Sequence, residues 1–164
     1  MKTFKEIRSW ILEHGNPLAR LNTHIQNDRH IVAISAERSK LSPQENKARM
    51  HELMDKLKKQ GYGFKKTKGV WEGGSEHSLI VHAKEPGNKA GANLVKDMRK
   101  LASDYDQDAI LHYNQQTGGG RLIGTNDSGF PGKKKVVKLG KIRYNVDKSK
   151  DRTELGGGNF RMGD

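Results

Sequence analysis

Two carboxylates and a guanidinium stand where the chain could do chemistry: Glu37 and Arg38 directly after an apolar run, and Glu76 beside a Gly-rich turn with Trp71 before it and Ser78 after it. A buried carboxylate next to a cationic side chain can bind or activate a polar ligand, so Glu37, Arg38 and Glu76 are the catalytic candidates, with Trp71 as the wall of a pocket. The plainer reading of the same residues is an ion pair with a tryptophan over a sheet edge. Histidines offer less. His77, His82 and His112 lack the fixed spacing of metal ligands, and a metal site needs three or four ligands converging at bond distance. They read as half-exposed sheet residues, with no metal and no cofactor expected. Gly118-Gly119-Gly120-Arg121 lacks the Gly-Lys-Ser/Thr that opens a helix in a phosphate loop, and reads as a wide hairpin turn.

Charge is the stronger signal. The 164 residues carry a net charge of +12, a field that attracts polyanions. Lys58, Lys59, Lys65, Lys66 and Lys68 form one cluster. Lys133, Lys134, Lys135, Lys138, Lys141 and Arg143 form a second, continued by Lys148 and Lys150. Trp71 and Tyr144 lie near these clusters and could stack on bases. Lysine outnumbers arginine in them, which favours backbone phosphate contact over base reading. These residues predict a small basic accessory protein that binds nucleic acid non-specifically. Two alternatives stand beside it: an inhibitor that docks an acidic surface of a host protein, and an enzyme with a polar pocket near Glu37, Arg38, Trp71 and Glu76. A solvated lysine face guarding an edge strand explains the same residues without a partner.

Composition bounds the rest. There is no cysteine, so no disulfide and no thiolate metal site. No apolar run approaches the ~18 residues of a membrane span, and no apolar stretch marks the N-terminus as a secretion signal. The expectation is a protein that is neither secreted nor membrane-bound.

The positioning elements follow from pattern. Ile31 to Ala36 is a short β-branched run and reads as a central strand. Ser42-Pro43-Gln44-Glu45 starts a helix with a cap and capping box, and Met50, Leu53, Met54 and Leu57 make its apolar stripe before Gly61. Phe64–Trp71 and Ser78–Ala83 read as hairpin arms around Glu72-Gly73-Gly74-Ser75. A second helix, Ala92–Tyr105, carries Leu94, Val95, Met98 and Leu101 on one face, and a strand follows at Ala109–Asn114. This order predicts an α+β, two-layer, ferredoxin-like sandwich with split βαβ order: an antiparallel sheet, two long helices on one face, and an extra basic C-terminal hairpin turning near Gly140. Residues 1–30 are expected to be an N-terminal helix and linker, 31–125 the core domain, and 126–164 the basic hairpin with a Gly-rich tail.

Two resemblances accompany this reading. Ser35-Ala36, Ser42-Pro43-Gln44-Glu45-Asn46, Ala48-Arg49, Gly61-Tyr62, Trp71, Glu76, Ser78, Tyr105, Gln107, Ala109 and Ile110 resemble in order and spacing an uncharacterised bacterial and phage domain family over Ile31–His112. That family has Asn-Pro after its first strand, where this chain has Glu37-Arg38-Ser39. The opening Met1-Lys2-Thr3-Phe4-Lys5-Glu6 resembles the capsid-targeting segment of internal head proteins of T4-like phages, and Ile11-Leu12-Glu13 resembles their cleavage site. The second resemblance implies a phage protein packaged in the virion head, or one acting in the host cytoplasm.

Overall fold

The computed structural model describes residues 17–71, 74–116, 119–144, 152–155 and 158–162. The expected N-terminal helix over residues 1–13, with its resemblance to a targeting segment, lies outside the described residues, as does the Trp71 side chain.

Three helices are described: α1 (Pro17–Gln26), α2 (Pro43–Lys59) and α3 (Asn88–Asp104). The strands are β1 (Ile31–Ile34), β2 (Phe64–Trp71), β3 (Gly74–His82), β4 (Ala109–Asn114), β5 (Gly119–Gly124), β6 (Val136–Lys138), β7 (Ile142–Tyr144), β8 (Arg152–Leu155) and β9 (Gly158–Met162). They join into one antiparallel sheet in the order β6-β5-β4-β1-β3-β2-β8-β9-β7.

Helix α2 begins where its residues dictate. Ser42 takes an extended conformation and its Oγ accepts the Glu45 N–H at 3.1 Å, which satisfies one of the open N–H groups of the first turn. Pro43 occupies the first turn, and Lys56, Lys58 and Lys59 lie at the negative end of the helix dipole. Gly61, at φ +82°, then turns the chain toward β2.

Alternation along the strands sends side chains to two cores. Val32 and Ile34 of β1, Leu79 and Val81 of β3, and Ile110 of β4 pack against Leu53 and Leu57 of α2 and Leu94 and Met98 of α3. On the other face, Ile31, Ile80 and Tyr113 meet Leu21 and Ile25 of α1, with Leu155 and Phe160 of the C-terminal strands. Ile142 and Tyr144 of β7 pack there too, so the last strands curl over α1.

The ferredoxin-like two-layer sandwich is therefore not the fold. The sheet runs to nine strands among the described residues, and the expected linker contains α1, which builds a second core on the sheet face away from α2 and α3. The expected basic hairpin is also absent: β6 pairs with β5 and β7 with β9, at opposite ends of the strand order. The physical reason is burial. Ile142 and Tyr144 lose more water against α1 than they would in an isolated two-stranded ribbon.

Candidate functional site

On β3, Glu76, Ser78 and Ile80 point to the face away from α2 and α3, by alternation with Leu79 and Val81. Glu76 stands across from Gly69 of β2, which has no side chain to fill the space beside it. Strand β1 stops at Ile34, so the chain from Ser35 to Ser39 bends across the end of the sheet. These features leave a cavity of about 560 Å³, and Glu37, Arg38, Glu76, Asp108, Gln107 and Phe130 are among the residues that line it. Sites of this size hold small organic ligands.

The bend is held by side chains. Asn46 of α2 clasps Arg38: the Arg38 N–H donates to Asn46 Oδ1 at 2.8 Å, and Asn46 Nδ2 donates to the Arg38 carbonyl at 3.0 Å. Gln107 Nε2 donates to the Glu37 carbonyl at 3.0 Å, and the Gln107 carbonyl in turn accepts the Thr125 hydroxyl. Ser35 Oγ donates to the His77 carbonyl at 2.6 Å and accepts the Glu37 N–H at 3.0 Å. The backbone around the cavity is thus pinned from α2, β3, the loop before β4 and Thr125 just after β5.

Charge is arranged within this frame. Glu37 Oε1 accepts the His77 N–H at 2.6 Å, and its Oε2 lies 3.3 Å from His77 Nδ1. The Arg38 guanidinium donates to the Asp106 carbonyl and lies 3.6 Å from Asp108 Oδ1 and 3.9 Å from Asp106 Oδ2. Burial pushes the Glu76 carboxyl above the usual carboxylate range, and the charges of Glu37 and Asp108 add to that; contact with Ser35 and the charge of Arg38 oppose it. The cavity therefore holds three carboxyl groups against one guanidinium. Its rim carries Phe130, an aromatic ring left 69% exposed.

Glu37, Arg38 and Glu76 line one cavity, while the side chain of Trp71, the fourth residue of the expected pocket, lies outside the described residues. Asp108, Gln107 and Phe130 complete the cavity without having been candidates on chemical grounds. Asp106-Gln107-Asp108, between α3 and β4, is the one local hint, because a polar run before a buried strand ends near the sheet edge. Phe130 has no local signal at all. The histidines do not converge: His77 sits with Glu37, His82 stacks on His24 with ring centres 4.3 Å apart, and His112 stacks on His30 at 5.1 Å. No group of three or more potential metal ligands occurs among the described residues.

The cationic candidates are dispersed. Lys58 and Lys59 end α2, and Lys65, Lys66 and Lys68 lie along β2, where burial lowers the pKa of Lys65. Lys133, Lys134, Lys135 and Lys138 lie before and on β6. Lys141 precedes β7 and Arg143 lies on it, at the other end of the strand order, and Lys148 and Lys150 fall outside the described residues. The Tyr144 hydroxyl donates to Asn22 Oδ1 at 2.7 Å and its ring packs in the second core, so it is not a platform for bases. No helix among the described residues is long and apolar enough to cross a membrane.

Comparison with known proteins supplies the class. No curated protein matches the chain. One family's sequence model does match, over residues 32–157, more than three quarters of the chain and well beyond the Ile31–His112 stretch of the uncharacterised-domain resemblance. It is a family of enzymes, which overturns the accessory nucleic-acid-binding reading and favours the alternative of an enzyme with a polar pocket; the match lends no support to a phage or virion setting. On this match the chain belongs to the S-Adenosylmethionine lyase family.

Proposed function

We propose that the chain is a lyase that breaks a carbon–sulfur bond of S-adenosylmethionine in the cavity at the end of β1. The observation that carries this is a half-buried Glu76 of raised pKa set with Glu37 and Asp108 around one guanidinium. S-Adenosylmethionine is a sulfonium cation with an ammonium, a carboxylate and an adenine ring. Each part has a counterpart here. Carboxylates suit the sulfonium and ammonium, Arg38 suits the substrate carboxylate, and the Phe130 ring suits adenine by stacking.

The chemistry asks little of acid catalysis. As the carbon–sulfur bond breaks, the electron pair leaves with sulfur, which becomes a neutral thioether, while the substrate's own carboxylate oxygen bonds to the carbon that sulfur leaves and closes a lactone, so no proton is taken up or released in the step. The protein's part is to orient the molecule, strip water from it and set the charge around it. A sulfonium arriving beside Glu76 favours its ionised form. Below the raised pKa, substrate binding therefore releases a proton from Glu76.

The test is turnover of S-adenosylmethionine by wild type and by Glu76→Gln, Arg38→Met and Phe130→Ala, followed by chromatography of the adenosine thioether product. Glu76→Gln and Arg38→Met should each lower kcat/KM by roughly 10- to 150-fold, the worth of one charge-assisted contact. Phe130→Ala should raise KM about fivefold, in line with one stacked ring. Wild type that leaves S-adenosylmethionine intact, or variants as active as wild type, would refute the assignment.

A further inference from the structure

A second cavity, of about 900 Å³, lies on the opposite side of the sheet, between α3 and strands β4 to β6, and shares no lining residue with the first. Six cationic side chains line it: Lys96, Arg99 and Lys100 from α3, Arg121 from β5, Lys133 from the loop before β6, and Lys138 from β6. No carboxylate lines it among the described residues, and none of the six forms an ion pair with a described carboxylate.

The six cations are exposed at the mouth of this concavity. Lys96, Arg99, Lys100 and Ser103 recur at helical intervals and share one exposed flank of α3, beside the apolar side of Leu94, Val95, Met98 and Leu101 that packs on the strands. Lys96 and Lys100 are like charges one turn apart, which destabilises a helix unless an anion relieves them. Cations drawn from a helix, two strands and a loop into one concavity concentrate positive potential there.

The floor of the cavity is built, and its hydrogen bonds fix the proton positions. Arg121 Nε–H donates to His112 Nδ1 at 2.9 Å, so His112 carries its hydrogen on Nε2. That Nε2–H donates to His30 Nδ1 at 2.9 Å, and His30 Nε2–H donates to Asn88 Oδ1 at 3.2 Å. Both histidines are buried, at 5% and 4% exposure. A Cβ at Gly91 would come within 2.3 Å of the His30 ring, so the glycine admits the ring to this position. The chain of bonds commits only Nε of Arg121 and holds its guanidinium in place, with both Nη groups left to meet a ligand.

We propose that this cavity binds a small anion of the di- or triphosphate class, either as free polyphosphate or as the phosphate tail of a nucleotide. The volume accommodates several phosphate groups in line. Arg121 offers a planar fork and the five other cations offer point charges, the combination that suits oxyanions carrying several charges.

Isothermal titration calorimetry at fixed salt tests this with two probes, sodium tripolyphosphate and adenosine triphosphate. Tripolyphosphate should bind with a Kd below about 1 mM. Arg99→Met on α3 and Lys138→Met at the end of the edge strand β6, both exposed side chains, should each weaken it about tenfold. Lys100→Gln serves as a third variant should either fold poorly by circular dichroism. Lys58→Met and Lys59→Met, remote from the cavity, should leave binding within about twofold. Equal affinity for the two probes means that the phosphates alone are recognised; nucleotide binding tenfold tighter means that the nucleoside is also held. Either supports the site. No binding of either probe, or equal losses in the cavity and remote variants, would overturn it. Glu76→Gln should bind tripolyphosphate like wild type, so failure of the lyase assignment and failure of this site are separable.

Discussion

His112 makes the fold sensitive to acid in a way that can be calculated. It is 4% exposed, accepts the Arg121 N–H and donates to His30. Burial, then the charge of Arg121 and the neighbouring His30, lower its pKa from 6.5 to about 4. The folded pKa is depressed, so between pH 6.5 and about 4 the unfolded chain takes up a proton that the folded chain refuses. Stability is complete above 6.5 and is lost as pH falls across that window, with no further loss from this group below it. At about 1.4 kcal/mol per pH unit, the interval amounts to roughly 3 kcal/mol. His112→Gln removes the titration while keeping a polar side chain in place. At pH 7 the variant should be less stable by about 1–3 kcal/mol, because Arg121 and His30 lose a shaped partner. Urea unfolding followed by circular dichroism at half-unit steps from pH 7.5 to 4 measures both effects. The rest of the sequence is the same in the two proteins, so the difference isolates His112 together with the bonds it makes to Arg121 and His30. The wild-type curve should fall more steeply by roughly 3 kcal/mol over the window, or about 6–12 °C in Tm. Parallel curves would refute the claim that this histidine is held neutral by its surroundings.

Glu76 predicts the opposite trend. Its folded pKa is raised, so the stability its proton confers is present below 4.5 and is lost as pH rises through the folded value; Glu76→Gln should therefore melt higher than wild type at pH 7 and level with it at pH 4, by differential scanning calorimetry. The same variant loses turnover, so stability and activity move apart. Leu53, fully buried among the β1, β3 and α3 side chains, should cost about 2–5 kcal/mol when cut to alanine, read as a lower urea midpoint with an unchanged slope. A loss under about 1 kcal/mol would mean that the first core collapses around the gap.

The elements that local pattern decides are legible in the residues themselves. Ser42-Pro43 starts α2 where the capping chemistry requires, the β-branched run at Ile31 is a central strand, and Phe64–Trp71 is the first arm of a hairpin. Glu37, Arg38 and Glu76 stand out because charged residues at strand ends and turns are exposed to ligands. Each of these signals acts over a few residues, through a cap, an alternation or a stripe.

What tertiary structure alone decides is everything that depends on distant pairing. Strands β6 and β7 are three residues apart in sequence yet take places at opposite ends of the sheet, because Ile142 and Tyr144 find an apolar surface against α1 that a local hairpin would not offer. The lysines are scattered by that choice. Asp108 and Phe130 reach the first cavity, and six cations gather in the second, through contacts between residues up to about a hundred positions apart. Composition supplied the net positive charge, but where the charge concentrates is set by which surfaces had to be buried, and burial is a property of the whole chain packed together.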